Sequence, residues 1–414
     1  MDLMDAAQKG MGLGDPWRIV SAQLVGSDPG EVIVEVAHKG GGGPCPTCLL
    51  ACPGYDSQRR RWRHLDMWQY QTWIEADVPR VECGEHGVQQ IKVPWAEVRS
   101  RFTAPFESRV IDWLREASVG AVARNMRLGW KAVYGIQARA VARGLARRPR
   151  LAMKRIGVDE TSFQKRHEYV TIVTDQAAGT VLYVADGRKG ESLEPFFQGL
   201  DQSQLEGIEV VAMDMHWPYV KAAAKHVPEL SSKLCFDRFH VAQHFGNAVD
   251  QTRRLENKQL GADGDDSLKG TKYHWLKNPK SLSPKMRSEL NELVESSLLV
   301  AKVWAVKEAA SKLWHYKSWT WAKKAWAALL EWAESIDSPP LQRVVETVGK
   351  HLLGILNAIV LGASNAGAES INSKVQALKR RANGYRNRAR FRDAILFHCG
   401  GLDLYPAASA HTDG

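Results

Sequence analysis

What most limits how this chain can fold is the patterning between Lys154 and Phe239. Three runs alternate apolar and polar residues: Lys154–Phe163 (KRIGVDETSF), His167–Thr174 (HEYVTIVT) and Thr180–Ala185 (TVLYVA). A period of two predicts β-strands, and the short turns between the runs predict an antiparallel meander. A helical stretch, Glu191–Leu200, follows. It leads to the apolar run Glu209–Trp217 (EVVAMDMHW), a second helix Trp217–His226 and a strand Lys233–Phe239 (KLCFDRF). If the crossover is right-handed, the strand ending in Asp214 lies parallel to the one carrying Asp159, and the two acids become neighbours across the sheet.

That order, βββαβαβ, predicts an RNase H-like core. An Asp late in a strand is by itself more often a turn or cap residue. Here three acids recur in a telling order: Asp159 (with Glu160 behind it), Asp214, and Glu369 in the segment Ser364–Ser373 (SNAGAESINS) that opens a long helical pattern. Strand-Asp, strand-Asp, helix-Glu is a way for three carboxylates to converge on two magnesium (or manganese) ions. Such ions stand about 3.5–4 Å apart and clamp the oxygens of an in-line phosphoryl displacement. Between the second and third acids, Val241–His351 is helical and rich in Trp, interrupted by the acidic loop Gly261–Gly270. It reads as an all-helical insertion over 246–355 that divides the core into 151–245 and 356–400. Helical spacing makes most of those Trp core residues, although some could stack on bases. Cys235 is most simply a small core residue. Beyond Glu369, a continuous helix would carry Lys379, Arg380, Arg381, Arg386 and Arg388 as a positive stripe near the acids, a field that DNA strands would need. A short tail, 401–414, is expected to be disordered.

The other end of the chain reads as two small modules after a loose leader, 1–16. Over 17–98, Arg18–Val25 and Glu31–His38 alternate around Ser27-Asp28-Pro29-Gly30, a hairpin, and two further strands run through Arg80. Cys45-Pro46-Thr47-Cys48 is followed 34 residues later by Cys83-Gly84-Glu85-His86. Two ligand pairs of that spacing, each on a tight turn, suit one tetrahedral zinc in a structural role, with Cys52 as a spare. Arg59, Arg60 and Arg61 beside Trp62 could follow a phosphate backbone, or form a solvated strand face. Over 99–150 the period becomes helical. Two short helices around a tight turn and then Trp130–Arg147, carrying Lys131, Arg139 and Arg143, fit a helix-turn-helix. Lys and Arg number 14 against three acids between Arg99 and Arg155, and 56 against 46 in the whole 414-residue chain, a formal charge of +10. That balance suits a polyanionic partner. The chain shows neither a signal peptide nor a membrane-length apolar run, and six Cys in so long a chain do not make a disulfide framework, their clustering fitting a reduced compartment and metal binding, so a cytoplasmic α+β multidomain protein is expected.

The order CPTC, CGEH, helix-turn-helix, GVDETSF, AMDMHWPY, CFDRFHV and SNAGAESINSKVQALKRRANGYR resembles the ISL-three family of bacterial insertion-sequence transposases, from about Pro44 to Phe397. The resemblance implies a DDE-class enzyme with Asp159, Asp214 and Glu369 as the triad, and a zinc module of Cys45, Cys48, Cys83 and His86. In the last position family members often carry a fourth Cys. It further implies binding to terminal inverted repeats, cleavage that frees 3′-hydroxyls, and their joining to target DNA, with at least a homodimer in the synaptic complex. Asp237 and His240, in FDRFH, could orient a phosphate or a leaving strand, and Asp237 is the rival metal ligand. Two other readings are a nuclease or junction resolvase without strand transfer, and a non-catalytic DNA-binding regulator derived from a transposase.

Overall fold

The computed structural model describes residues 8–11, 13–26, 30–164, 168–296, 298–363 and 366–407. Two compact units emerge: one comprises the chain up to Pro149 together with the stretch from Gly401, the other is Arg150–Gly400. Among the described residues no helix is long and apolar enough to cross a membrane.

In the first unit, β1 (Trp17–Val25) and β2 (Glu31–His38) pair antiparallel as the alternation predicts. The expected turn residues Ser27, Asp28 and Pro29 lie outside the described residues. Strands β3 (Gly43–Pro44) and β4 (Ala51–Cys52) form a two-residue ladder, and the short strand β7 (Gly87–Gln90) pairs with the end of the strand Tyr70–Cys83. Long strands β5 (Gly54–Met67) and β6 (Tyr70–Cys83) pair with each other, and β6 also runs parallel to β2, so the order is β1-β2-β6-β5. Inward residues Val32, Val34, Val36, Ile74, Ala76 and Val78 bury one face. Trp95 packs edge-on against both Trp17 and Trp62 at centroid distances of 4.8 and 5.4 Å, the geometry aromatic quadrupoles favour. Met11 and Leu13, expected in a loose leader, are buried in this core.

Helices Ala104–Glu116, Val119–Asn125 and Trp130–Arg147 follow, within a residue or two of the predicted helix-turn-helix. Ser118 caps the second by accepting from Ala121 N at 3.3 Å, the usual role of a helix-opening Ser. Over 401–407 the tail departs from expectation, while 408–414 lie outside the described residues. Leu404 is buried, Arg143 donates to Leu404 O, Arg147 bonds Asp403, and Tyr405 Oη donates to Asp112 at 2.7 Å. Gly144 makes room for this strap, since a Cβ there would lie 2.6 Å from Leu402 Cβ.

In the second unit, β8 (Arg155–Gln164), β9 (Glu168–Asp175) and β10 (Thr180–Asp186) form the predicted antiparallel meander; His167 lies outside the described residues. Strands β11 (Val210–Met213) and β12 (Leu234–Phe236) add in parallel on the other side of β8, giving the order β10-β9-β8-β11-β12. All four residues of β11 are buried, as befits a central parallel strand covered on both faces. One face packs on the helix Trp217–Ala224 and the helical region, the other on helices Ala366–Arg381 and Arg388–Cys399.

A single helix, Arg238–Ala262, capped by Asp237, runs across the division expected between 245 and 246. Of the insertion's Trp, Trp275 and Trp326 are fully buried, whereas Trp319, Trp321 and Trp332 are exposed, so core packing explains only part of the set. The basic stripe is not one continuous helix either. Helix Ala366–Arg381 ends, Asn383 and Gly384 take positive φ, and Arg388 begins a new helix.

Candidate active site and metal centre

The zinc ligands predicted from spacing meet. One donor atom from each of Cys45, Cys48, Cys83 and His86 lies within 4.8 Å of the others. Specific edges are 3.7 Å between the Cys48 and Cys83 sulfurs, 3.5 Å from Cys83 Sγ to His86 Nδ1, and 3.9 Å from Cys45 Sγ to His86 Nδ1. A tetrahedron with metal–sulfur bonds of about 2.3 Å has edges of about 3.8 Å, so this donor set fits structural zinc. The turns are built for it: Leu49 takes φ +65°, Cys45 N donates to Leu50 O at 2.8 Å, and Gly87 reverses the chain after His86 at φ +65°. His86 and the Glu85 and His86 backbone lower the Cys83 thiol to about 6, favouring the thiolate that binds metal.

In the second unit the parallel register brings carboxylates together. Val210 pairs with Arg155 and Ala212 with Gly157, so continuing the ladder sets Asp214 beside Asp159. On the other side Val211 pairs with Leu234 and Met213 with Phe236, and the same continuation sets Asp237 beside Asp214. Three aspartates therefore stand level: Asp214 and Asp237 just past the carboxyl ends of β11 and β12, the place where open α/β sheets bind ligands, and Asp159 midway along β8. Asp237, read from sequence as an auxiliary residue and rival metal ligand, shares this edge equally.

Each acid is held differently. Asp159 accepts from Glu160 N on Oδ1 and from Asn372 Nδ2 on Oδ2, both at 2.7 Å. Burial pushes its carboxyl up to about 6, and Asp237 and Glu160 add to the rise. Asp214 is 42% exposed, and its Oδ1 accepts from Met215 N at 2.6 Å. Asp237 is 5% exposed and caps its helix through Phe239 N at 3.2 Å; burial raises its carboxyl too. His240 stands between the last two, Nδ1 3.6 Å from Asp214 and Nε2 3.9 Å from Asp237.

Glu369 opens the helix Ala366–Arg381, which lies along β8. Asn372, Gln376 and Lys379, on one helical face, bond Asp159 Oδ2, Thr161 Oγ1 and Ser162 O at 2.7, 2.8 and 2.9 Å. Glu369 lies one turn before Asn372 on that face, exposed, and its charge acts on Asp237. Among the described residues, Asp159, Asp214 and Glu369 do not bring one oxygen each within 4.8 Å of one another. Sequence reasoning missed Asn372, the direct link between this helix and Asp159. Its spacing of three from Glu369 was the available signal.

Linkage gives the Asp159 shift a testable sign. A carboxyl raised from 3.8 to about 6 in the fold contributes stability below pH 4 that is lost as pH climbs through 6. Asp159→Asn is therefore expected to gain about 2 kcal/mol relative to the parent chain between pH 4 and pH 7.5 without added magnesium. Paired urea melts at the two pH values read that difference, and a constant offset would contradict the burial argument.

The predicted DNA-facing cations are distributed unevenly. Arg59 pairs with Glu35, Glu75 and Asp77, and Arg61 with Glu31 and Glu75, so these strand arginines meet acids of β2 and β6. Arg60 bonds Gln90 at 3.0 Å. Arg139 and Arg143 were expected to face phosphates. Instead both pair with buried Glu107, and Arg143, 7% exposed, also bonds Glu97. Lys379 is bonded to β8 and Arg388 pairs with Glu168 at 3.2 Å, and Arg381 contacts His398 at 3.2 Å. Lys131, Arg380 and Arg386 are exposed.

Comparison with known proteins adds an independent line. Residues 156–395 match the ISL3 DDE family described as transposase. Residues 42–86 match the zinc-finger of transposase IS204/IS1001/IS1096/IS1165, and 91–141 the helix-turn-helix domain of transposase family ISL3. The transposase for insertion sequence element IS1001 of Bordetella parapertussis is 28% identical over 353 residues, 84% of this chain and 86% of that protein. The transposase for insertion sequence element IS1557 of Mycobacterium tuberculosis is 29% identical over 370 residues, 83% of this chain and 82% of the relative. No solved structure matches the chain.

Proposed function

The chain belongs to the ISL3 family of transposases, and from that premise we propose that it binds the terminal inverted repeats of an insertion sequence, cleaves the DNA there and joins the freed 3′-hydroxyls to target DNA. In this reading Arg150–Gly400 is an RNase H-like catalytic core with a helical insertion. The observation that carries it is the edge where Asp159, Asp214 and Asp237 stand level on adjacent parallel strands, with the helix of Glu369 bonded to Asp159.

Carboxylate oxygens suit hard divalent cations, and a half-buried acid crowded by other acids gains most from one nearby. Asp159, Asp214 and Glu369 would hold two magnesium ions, or manganese. When bound, these supply the Lewis acidity that offsets charge on the attacking and leaving oxygens. Asn372 and the Glu160 backbone orient both oxygens of Asp159 beforehand. Asp237 is the alternative ligand, and His240 beside it would orient a phosphate or the leaving strand. Exposed Lys131 on the third helix of the helix-turn-helix, with Arg380 and Arg386 beyond Glu369, would contact phosphates, while the zinc module and helix-turn-helix read the repeats. Joining two ends at once requires at least a homodimer.

Labelled duplex carrying the terminal sequences of the element, incubated with the chain, magnesium and a target plasmid, tests this. The expected products are ends cut to a 3′-hydroxyl and ends joined to the plasmid. Cut ends that are never joined would make the protein a nuclease. Bound ends that are never cut would make it a regulator.

A further inference from the structure

The turn after β10, Asp186-Gly187-Arg188-Lys189, has no role in the site described above, yet it is tightly braced. Gly187 takes φ +85°, its N–H donates to Tyr169 O at 2.9 Å, and its carbonyl accepts from Thr171 Oγ1 at 2.8 Å. Ser192 Oγ donates to Asp186 O at 2.6 Å. Thr171 Oγ1 also lies 2.7 Å from Tyr219 Oη, which ties the turn to the helix just after Asp214. At Gly190 a Cβ would approach Pro218 O to 2.8 Å, so the turn presses against the Asp214–Tyr219 segment with no room for a side chain there.

This bracing holds Arg188 beside Glu160, the residue that follows Asp159 on β8. Its Nη1 lies 3.7 Å from Glu160 Oε1, and its guanidinium sits over the Tyr169 ring at 5.0 Å. A separation of 3.7 Å exceeds a hydrogen bond, so the edge of the guanidinium is still open to a better acceptor. Half exposed, such a pair adds little to stability. Two cations act on acids here: the charge of Arg188 on Glu160, and that of His240 on both Glu160 and Asp159. An anionic strand approaching several carboxylates is repelled unless a cation stands at the entrance, and the planar guanidinium fork matches phosphate geometry.

We propose that Arg188 is a substrate-binding residue whose guanidinium takes a non-bridging oxygen of the DNA strand being cut, within one nucleotide of the scissile phosphodiester. This assignment rests on the transposase reading and deepens it.

The test uses the full chain, magnesium and duplex carrying the terminal sequences, with single phosphates around the cut replaced by neutral methylphosphonates. Arg188→Ala is expected to slow cleavage about 10- to 100-fold, the range of a charge-assisted hydrogen bond to phosphate, with melting temperature unchanged and end binding, which rests on many other phosphate contacts, weakened far less than cleavage. Arg188→Lys should recover part of the rate. In the parent chain one methylphosphonate should slow cleavage by a similar factor, and in Arg188→Ala the same replacement should add little. Should Arg188→Ala not fold, the methylphosphonate comparison is made on Arg188→Lys, where the penalty should shrink. Cleavage by Arg188→Ala at the parent rate would overturn the assignment, as would equal methylphosphonate penalties in parent and variant at every phosphate. A parent chain that neither cuts nor joins would overturn the transposase reading, and this inference with it.

Discussion

Asp214→Asn is expected to lower cleavage of terminal-repeat DNA by at least about a thousandfold while leaving repeat binding within about twofold. The large effect follows from charge. Asp214 stands on the middle of the three aspartate-bearing strands, between Asp159 and Asp237. A metal-held phosphoryl transfer draws several kcal/mol from its ions, and each 1.36 kcal/mol is tenfold in rate. The small effect on folding follows from geometry. Asp214 is 42% exposed, and the one backbone hydrogen bond its side chain accepts, from Met215 N, is one an amide oxygen can also accept. Gel-shift and cleavage assays on the same preparation separate the two effects. Cleavage that survives the substitution would sink the metal-site assignment.

Removing zinc is the second change with a large expected effect. The knuckle Cys45–Cys52 has little else to hold it: Leu49 and Leu50 are exposed, and β3 and β4 are two residues each. Structural zinc contributes about 10–16 kcal/mol to small folded modules at neutral pH. Purified chain is expected to carry about one zinc. Cys45→Ser or a chelator should unfold the knuckle and abolish repeat binding, while the second unit keeps its own melting transition. Hydrogen exchange by mass spectrometry would localise the loss. Normal repeat binding by a zinc-free chain would refute a structural role for the metal.

Much of this was legible in the residues. The meander of β8 to β10 and the helix-turn-helix follow from periodicity, and the parallel strand of Asp214 from an unbroken apolar run, because it is buried on both faces. The zinc donors were legible because Cys-x2-Cys and Cys-x2-His each describe a single tight turn. Other features were hidden. Arg139 and Arg143 look like DNA contacts in sequence, but Glu107 lies buried beneath them. The basic stripe looks continuous, but the chain turns at Asn383 and Gly384. The tail looks loose, but Leu404 is buried.

The sequence by itself determined which residue types are available and which local elements carry them: thiolates on turns, acids at strand ends, cations on helices. Only the tertiary structure decided that Asp237 stands level with the two other aspartates, that Asn372 reaches Asp159, and that Arg188 is held beside Glu160. The reason is one of range. A turn or a helical face is specified within a few residues, whereas strand register and ion-pair partners depend on packing between segments tens to hundreds of residues apart.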